Sequence, residues 1–263
     1  MMDIPPLHVG RGTRRGPLTV FPIWHAAPAG RPVSLADEHT VDVRELRDPQ
    51  VPHLRVTSTG PGLVLLLEGD VLVGGLQDRV SIASHLLIPG DDVVIDVRCV
   101  EPERWDGGER QVAGTRRATA YVRGETDQQE VWRRVAVERG RVQRTPDVSD
   151  LRPLPGQSGV LIALGGRPAL LEVFAEPDLF TQAWPRLMDA AAREAAGRPD
   201  KGATAHSARH FIGLVDQLMP HAVPGSSPGQ AIQGSHGPLT LRGIGDGARV
   251  LHATVINHQE IAA

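Results

Sequence analysis

The residues of this chain best suited to chemistry gather between Gly62 and Trp105, in the stretch GLVLLLEGDVLVGGLQDRVSIASHLLIPGDDVVIDVRCVEPERW. Glu68, Asp70, Gln77, Asp78 and Arg79 stand at turns that border apolar runs, where a pocket rim would form. A carboxylate near an arginine can orient a polar ligand, or move a proton if its pKa is tuned. The same residues suit a capped turn with surface ion pairs. A second group, Cys99, Glu101, Glu103, Arg104 and Trp105, closes the stretch. A cysteine nucleophile needs a basic partner, and the sequence places neither His85 nor His206 beside Cys99. Cys99 also alternates with Ile95 and Val97, as a small buried hydrophobe would. Trp105 with Arg104 could cover a ligand ring, or Trp105 could close the end of a barrel.

Two site readings follow. In one, Gln77, Arg79, Cys99, Arg104 and Trp105 line a binding site for a small polar or nucleotide-like ligand. In the other, Glu68 or Glu101 is the general base of a hydrolase, and Arg79 or Arg104 holds an anionic group such as phosphate. A third reading is a structural or interaction module. No metal and no cofactor is expected. His206 and His210 are four apart on a helical pattern and His221 follows, but no acid lies between them to complete an HExxH motif. A metal-binding cupin would need convergent imidazoles and a carboxylate, and the central stretch offers only His85. GRGTRRG at 10–16, GGRP at 165–168 and GIGDG at 243–247 lack the lysine or the following helix of a nucleotide fingerprint.

The elements that would hold these residues are mostly strands. Leu63 to Leu67 and Val71 to Val73 are short apolar runs separated by Glu68-Gly69-Asp70, and Pro89-Gly90-Asp91 is a strong turn. Val93 to Val100 alternates, with Val93, Ile95, Val97 and Cys99 on one face, which reads as a half-buried strand. Leu18 to Trp24, Val41 to Leu46, His53 to Thr57 and Arg117 to Arg123 are further strands, with Pro22 demoting the first to an edge or bulge. Ser34 could cap a short helical turn, and DGGERQ after Trp105 reads as a loop. Residues 127–138 form an amphipathic helix with Val131, Trp132 and Val135 on its stripe. In the second half, VLIAL at 160–164 and ALLEVF at 169–174 flank a turn. Helices at 180–196 and 206–219 and strands at 239–241 and 249–256 follow, with PGSSPGQ at 224–230 as a loop.

The fold class expected is therefore α+β, with an antiparallel β-sandwich or barrel-like core and about three packed helices. Three segments are expected: a flexible lead at 1–16, a β-rich half at 17–150 carrying the motif stretch, and an α+β half at 151–263 packed on it as one unit. The 263 residues, 40% hydrophobic and 22% charged, allow a sizeable core. A net charge of −3 and 3% aromatic content argue against nucleic acid as a partner. The single Cys99 excludes an intrachain disulfide. No apolar run is long enough for a membrane span and the N-terminal residues lack a signal core, so the cytoplasm is the expected address. A homo-oligomer through an edge strand or the alanine-rich 180–196 helix is the other partner considered.

Several segments carry a family resemblance. LTVFPI at 18–23, LLLEGDVLVGGLQDRV at 65–80, LIPG at 87–90 and VRCVEPERW at 97–105 resemble the ARPP-1 family, an uncharacterised domain family. The helix around Trp184 to Ala195 and VLHATV at 250–255 are similar too, so the resemblance spans about 18–256. It implies that Glu68, Gln77, Arg79, Cys99, Glu101, Arg104 and Trp105 occupy recurrent motif positions. The family name implies association with ADP-ribosylglycohydrolase and rhodanese-phosphatase relatives, hence a nucleotide or ADP-ribose context, and brings no catalytic residue with it.

Overall fold

The computed structural model describes residues 4–123, 125–141, 145–223 and 228–262. Contacts within the chain divide it into two units, residues 1–30 with 141–263 and residues 31–140. Both differ from the expected lead and the expected boundary at 150. β1 (His8–Val9) and β2 (Thr13–Arg15) lie end to end along one edge of β3 (Leu18–Trp24), so the N-terminal residues are part of a sheet. The other edge of β3 pairs with a strand that begins at Gly159, which ties the first 30 residues to the second half. Pro22 is thus tolerated inside a sheet. Its carbonyl accepts from Gly10 N at 2.8 Å, so its missing N–H faces the break between β1 and β2.

Residues 31–140 build a closed six-stranded barrel, ordered β11-β6-β5-β12-β8-β9, beside a three-stranded sheet, β10-β7-β4. In chain order these are β4 (Val33–Leu35), β5 (Val41–Arg44), β6 (His53–Ser58), β7 (Leu63–Leu66), β8 (Asp70–Gly74), β9 (Arg79–Ser81), β10 (His85–Leu87), β11 (Asp92–Cys99) and β12 (Arg110–Arg117). α1 (Ala120–Arg123) and α2 (Gln128–Arg141) follow. Alternation decides what fills the barrel. Val41, Val43, Leu54, Val56, Leu72, Ile95 and Val97 form one buried cluster. The other face of β8 and β9 sends Val71, Val73 and Val80 outward, where Val122 of α1 and Val131 and Val135 of α2 cover them. Ser34 lies in a strand and caps no helix, because Val33–Leu35 pairs in parallel with Leu63–Leu65. The 117–123 segment ends a strand and begins α1, and Arg110 and Gln111 belong to β12 rather than to a loop.

The second half supplies β13 (Gly159–Leu164), β14 (Arg167–Phe174), α3 (Pro177–Ala195), α4 (Ala205–Val215), β15 (His221–Val223), β16 (Gln230–His236), β17 (Leu239–Asp246), β18 (Arg249–Asn257) and α5 (His258–Ile261). With β1, β2 and β3 these strands make an antiparallel sheet in the order β1-β3-β13-β14-β18-β17-β16-β15, with β2 also on β3. Residues 224–227 of the expected PGSSPGQ loop lie outside the described residues. α4 packs Ala208, Phe211, Ile212 and Val215 on the face carrying Ile23, Leu161, Leu171 and Val255. α3 takes the opposite face, since Phe180 meets Phe174, which alternates with Val173. Helices on both faces explain why 160–164 reads as an unbroken apolar run and 169–174 as one broken only by Glu172, whereas β11, with one face in the barrel, alternates. The architecture is α+β, with three helices longer than four residues among the described residues.

Each unit buries polar groups in pairs. Under α3, Glu172 Oε2 lies 2.7 Å from His252 Nε2 and accepts from Thr254 Oγ1 at 2.6 Å, all three buried. Removing one member of a buried hydrogen-bonded pair costs about 1–3 kcal/mol. Glu172→Ala is therefore expected to destabilise the fold by about 1–3 kcal/mol in urea denaturation followed by circular dichroism. In the three-stranded sheet, burial holds His85 down to about 4 from its ordinary 6.5, with Asp96 opposing. The unfolded chain then takes up this proton first, so His85 contributes a loss of stability as pH falls from about 6.5 to 4. Denaturation midpoints across that window should flatten in His85→Gln relative to wild type.

Candidate functional site

One end of the barrel carries a buried polar cluster. Val43 faces inward, so Glu45, two residues on, does too, and Arg79 reaches the interior opposite Leu72. The Arg79 and Glu45 side chains are fully or almost fully shielded from solvent, with Nη2 3.4 Å from Oε1. The same Glu45 oxygen accepts from Leu76 N at 3.2 Å and from Gln111 Nε2 at 3.1 Å. Arg79 Nη1 donates to Val51 O at 2.5 Å and to Gln50 O at 3.3 Å. Burial lowers the Arg79 pKa and the Glu45 charge opposes that shift. Gly75 fits over this cluster because it has no side chain: its φ is +55°, and a Cβ would come within 2.3 Å of Gln111 Nε2.

The segment after β11 folds over this end. Arg104 holds it by donating to Glu101 Oε2 at 2.7 Å, Gly75 O at 2.7 Å, Asp106 O at 2.9 Å, Asp78 Oδ1 at 3.1 Å and Gly74 O at 3.2 Å. Its guanidinium is committed to the chain, which bears on any role as an anion contact. Gln77 Nε2 donates to Glu101 O at 3.1 Å and Asp78 N to Glu101 Oε2 at 3.3 Å. Burial pushes the Glu101 carboxyl up, but the Arg104 and Asp78 N–H groups that donate to it and the charges of Arg104 and Arg139 outweigh it, so its pKa lies below the usual carboxylate range. Such a carboxylate is a weak proton acceptor.

Trp105 is placed by the buried cation. The Arg79 guanidinium carbon lies 5.8 Å from its ring centroid, while 51% of the residue is exposed. Trp105 and Trp132 line one cleft of about 660 Å³ with Glu101, Glu103, Arg104 and Arg139, and Val135 and Ala136 of α2 complete a wall. Arg139 makes no hydrogen bond or ion pair among the described residues, so it is the cation this cleft leaves available.

The expected site residues thus separate. Gln77, Arg79, Glu101, Arg104 and Trp105 belong to one connected network. Cys99 is adjacent but sealed: it pairs with Arg79 across the ladder, its backbone is gripped by Gln128 on both N–H and C=O, and it is buried. Glu68 sits at the β7–β8 turn, its N–H donating to Ser84 Oγ at 2.9 Å, and does not line the cleft. Glu45, Gln111 and Arg139 escaped sequence reasoning. Glu45 left a signal, a carboxylate at the inward position of the Val41–Val43 alternation. Gln111 left none, because β12 reads as polar and glycine-containing. Among the described residues no cluster of three or more histidines, cysteines and carboxylates could hold a metal ion.

The chain matches the family model of the ARG and Rhodanese-Phosphatase-superfamily-associated Protein domain, ARPP-1, over residues 6–148 and 141–256, and it belongs to that family. No curated protein and no solved structure matches it.

Burial pushes the Cys99 thiol above its ordinary value, against smaller opposing contributions from Glu101 N–H, Trp132 and Arg79. Native protein at pH 8 should therefore resist a thiol reagent such as DTNB. The same protein in guanidinium chloride should react with one equivalent, read by absorbance at the thiolate band of the released reagent.

Proposed function

We propose that residues 31–140 bind a small polar ligand bearing a planar ring, of the nucleotide-like class, in the cleft beside Trp105. The observation that carries this reading is the cleft itself: two tryptophans and the uncommitted Arg139 share one concave surface whose volume lies within the usual range for ligand pockets. An indole face can stack a ring, and Arg139 can pair with an anionic group of the same molecule. Gln77, Arg79 and Arg104 then act behind the cleft, by holding Trp105 and the 101–106 segment in place. The hydrolase alternative draws less support, because Glu101 is pinned by Arg104 and its pKa is lowered.

The family description makes ADP-ribose a reasoned first ligand to test. The cytoplasm remains the proposed address; Cys99 is free, and no described helix is long and apolar enough to cross a membrane. A homo-oligomer is part of the same proposal, through a sheet edge such as β15. The alanines of α3, Ala190, Ala191, Ala192 and Ala195, are already buried within the chain.

Titration of tryptophan fluorescence with ADP-ribose, NAD and AMP tests the reading. Saturable quenching is expected for at least one, and Trp105→Ala should weaken it roughly tenfold or more, the equivalent of about 1–3 kcal/mol of stacking. Absence of any saturable change with all three, or equal affinity in Trp105→Ala, would overturn it.

A further inference from the structure

A second concave surface, in the unit made of residues 1–30 and 141–263, has a different character. A cavity of about 590 Å³ is lined by Arg141, Arg167, Arg198, Lys201 and Glu260, with Leu164, Gly165, Gly197 and Pro199. Four cationic side chains converge there against a single lining carboxylate. Positive φ values at Gly165, +56°, and Gly197, +79°, let the β13–β14 turn and the chain after α3 come together without side chains filling the space. A Cβ on Gly165 would come within 3.2 Å of Pro199, and one on Gly197 within 4.0 Å of Arg141.

Like charges gathered in a concavity repel one another, so each needs an explanation. Arg198 has one: its Nη2 donates to Ile261 O at 3.0 Å, which fixes it as the half-buried floor. Its pKa is nonetheless lowered, by burial first, with the Arg141 charge adding to that and Glu194 and Glu260 opposing. Arg167 spends one nitrogen on Glu260, at 3.2 Å, with its side chain 74% exposed. The Arg141 and Lys201 side chains make no hydrogen bond or ion pair among the described residues. A cation at the carboxyl end of α3 complements the helix dipole, but Arg193 already stands in that last turn. The remaining excess of positive charge is arranged around open volume rather than along the helix.

We infer that this cavity binds a small polyanion, a molecule carrying a pyrophosphate or comparable paired phosphoryl groups, with Arg167, Arg198 and Lys201 as its contacts. Arginine and lysine donors converging in a concavity favour such groups through charge-assisted hydrogen bonds. The size of the concavity favours a small molecule over a nucleic-acid backbone, which needs an extended basic face. Glu260 competes with the ligand for Arg167.

Isothermal titration with sodium pyrophosphate, at ionic strength held constant with chloride, reads this directly. Saturable binding at one site is expected. The double variant Arg167→Ser, Lys201→Ser should weaken it roughly tenfold or more, with an unchanged melting temperature in the ligand-free protein. Glu260→Gln should tighten it, an effect opposite in sign that a merely structural role would not produce. Trp105→Ala should leave it unaltered, which separates this site from the ring-binding cleft. Heats indistinguishable from dilution, equal affinity in the double variant, weaker binding by a folded Glu260→Gln, or loss of binding in Trp105→Ala would each overturn the inference.

Discussion

The polar end of the barrel of residues 31–140 is arranged around a buried ion pair, Arg79 with Glu45. Taking both charges out of water is expensive, and their attraction offsets it only when the remaining donors and acceptors are well used. Here that condition is met on one side of the pair, while Glu45 Oε2 and Arg79 Nε find no hydrogen-bond partner among the described residues. One Glu45 oxygen collects the Leu76 amide, the Gln111 amide and Arg79, while Arg79 also reaches two backbone carbonyls near residue 50. Gly75 must lack a side chain so that Gln111 can approach. Trp105 finds its place over the guanidinium, and Arg104 then ties the covering segment to Gly74, Gly75 and Asp78. The exposed face of Trp105 is thus the outer end of a chain of constraints that begins in the interior.

The barrel and the sheet answer the same polar problem differently. In the sheet, Glu172, His252 and Thr254 lie side by side on adjacent strands beneath α3, so the ladder itself sets their separation. In the barrel, Arg79 lies in β9 and Glu45 just after β5, strands that are not neighbours in the barrel order. The first arrangement resembles a cross-strand pair extended by one hydroxyl. The second spans strands that do not pair with each other.

How much of this was legible in the sequence follows from the range of the interactions. The alternation from Val93 to Cys99 and the apolar runs at 160–164 and 169–174 report local burial, and they mark strands correctly. The long helices carry their own periodicity. Residues 8–15 and 110–117 do not: they are short or polar, and they are strands because distant partners make them so, β12 with a register shift between Val112 and Arg116. The site divides the same way. Arg79, Glu101, Arg104 and Trp105 fall within 27 residues of one another and read as a group. Gln111 and Glu45 lie 66 residues apart and meet only once β12 pairs with β5. Cys99 was ambiguous between core and site, and the inward face of β11 decides for the core.

The interrupted unit has a consequence for the order in which this protein can be made. β3 leaves the ribosome early, with β1 and β2 available to one edge, but Leu18 finds Leu164 on the other edge only after the barrel residues have been synthesised. Residues 31–140 hold all strands of their barrel and can close during that interval. Throughout it, LTVFPI is an apolar β segment with a bare edge, the kind of segment through which nascent chains aggregate. Pro22 offers no protection there, since its missing N–H faces the side taken by β1 and β2 and not the edge that waits for β13.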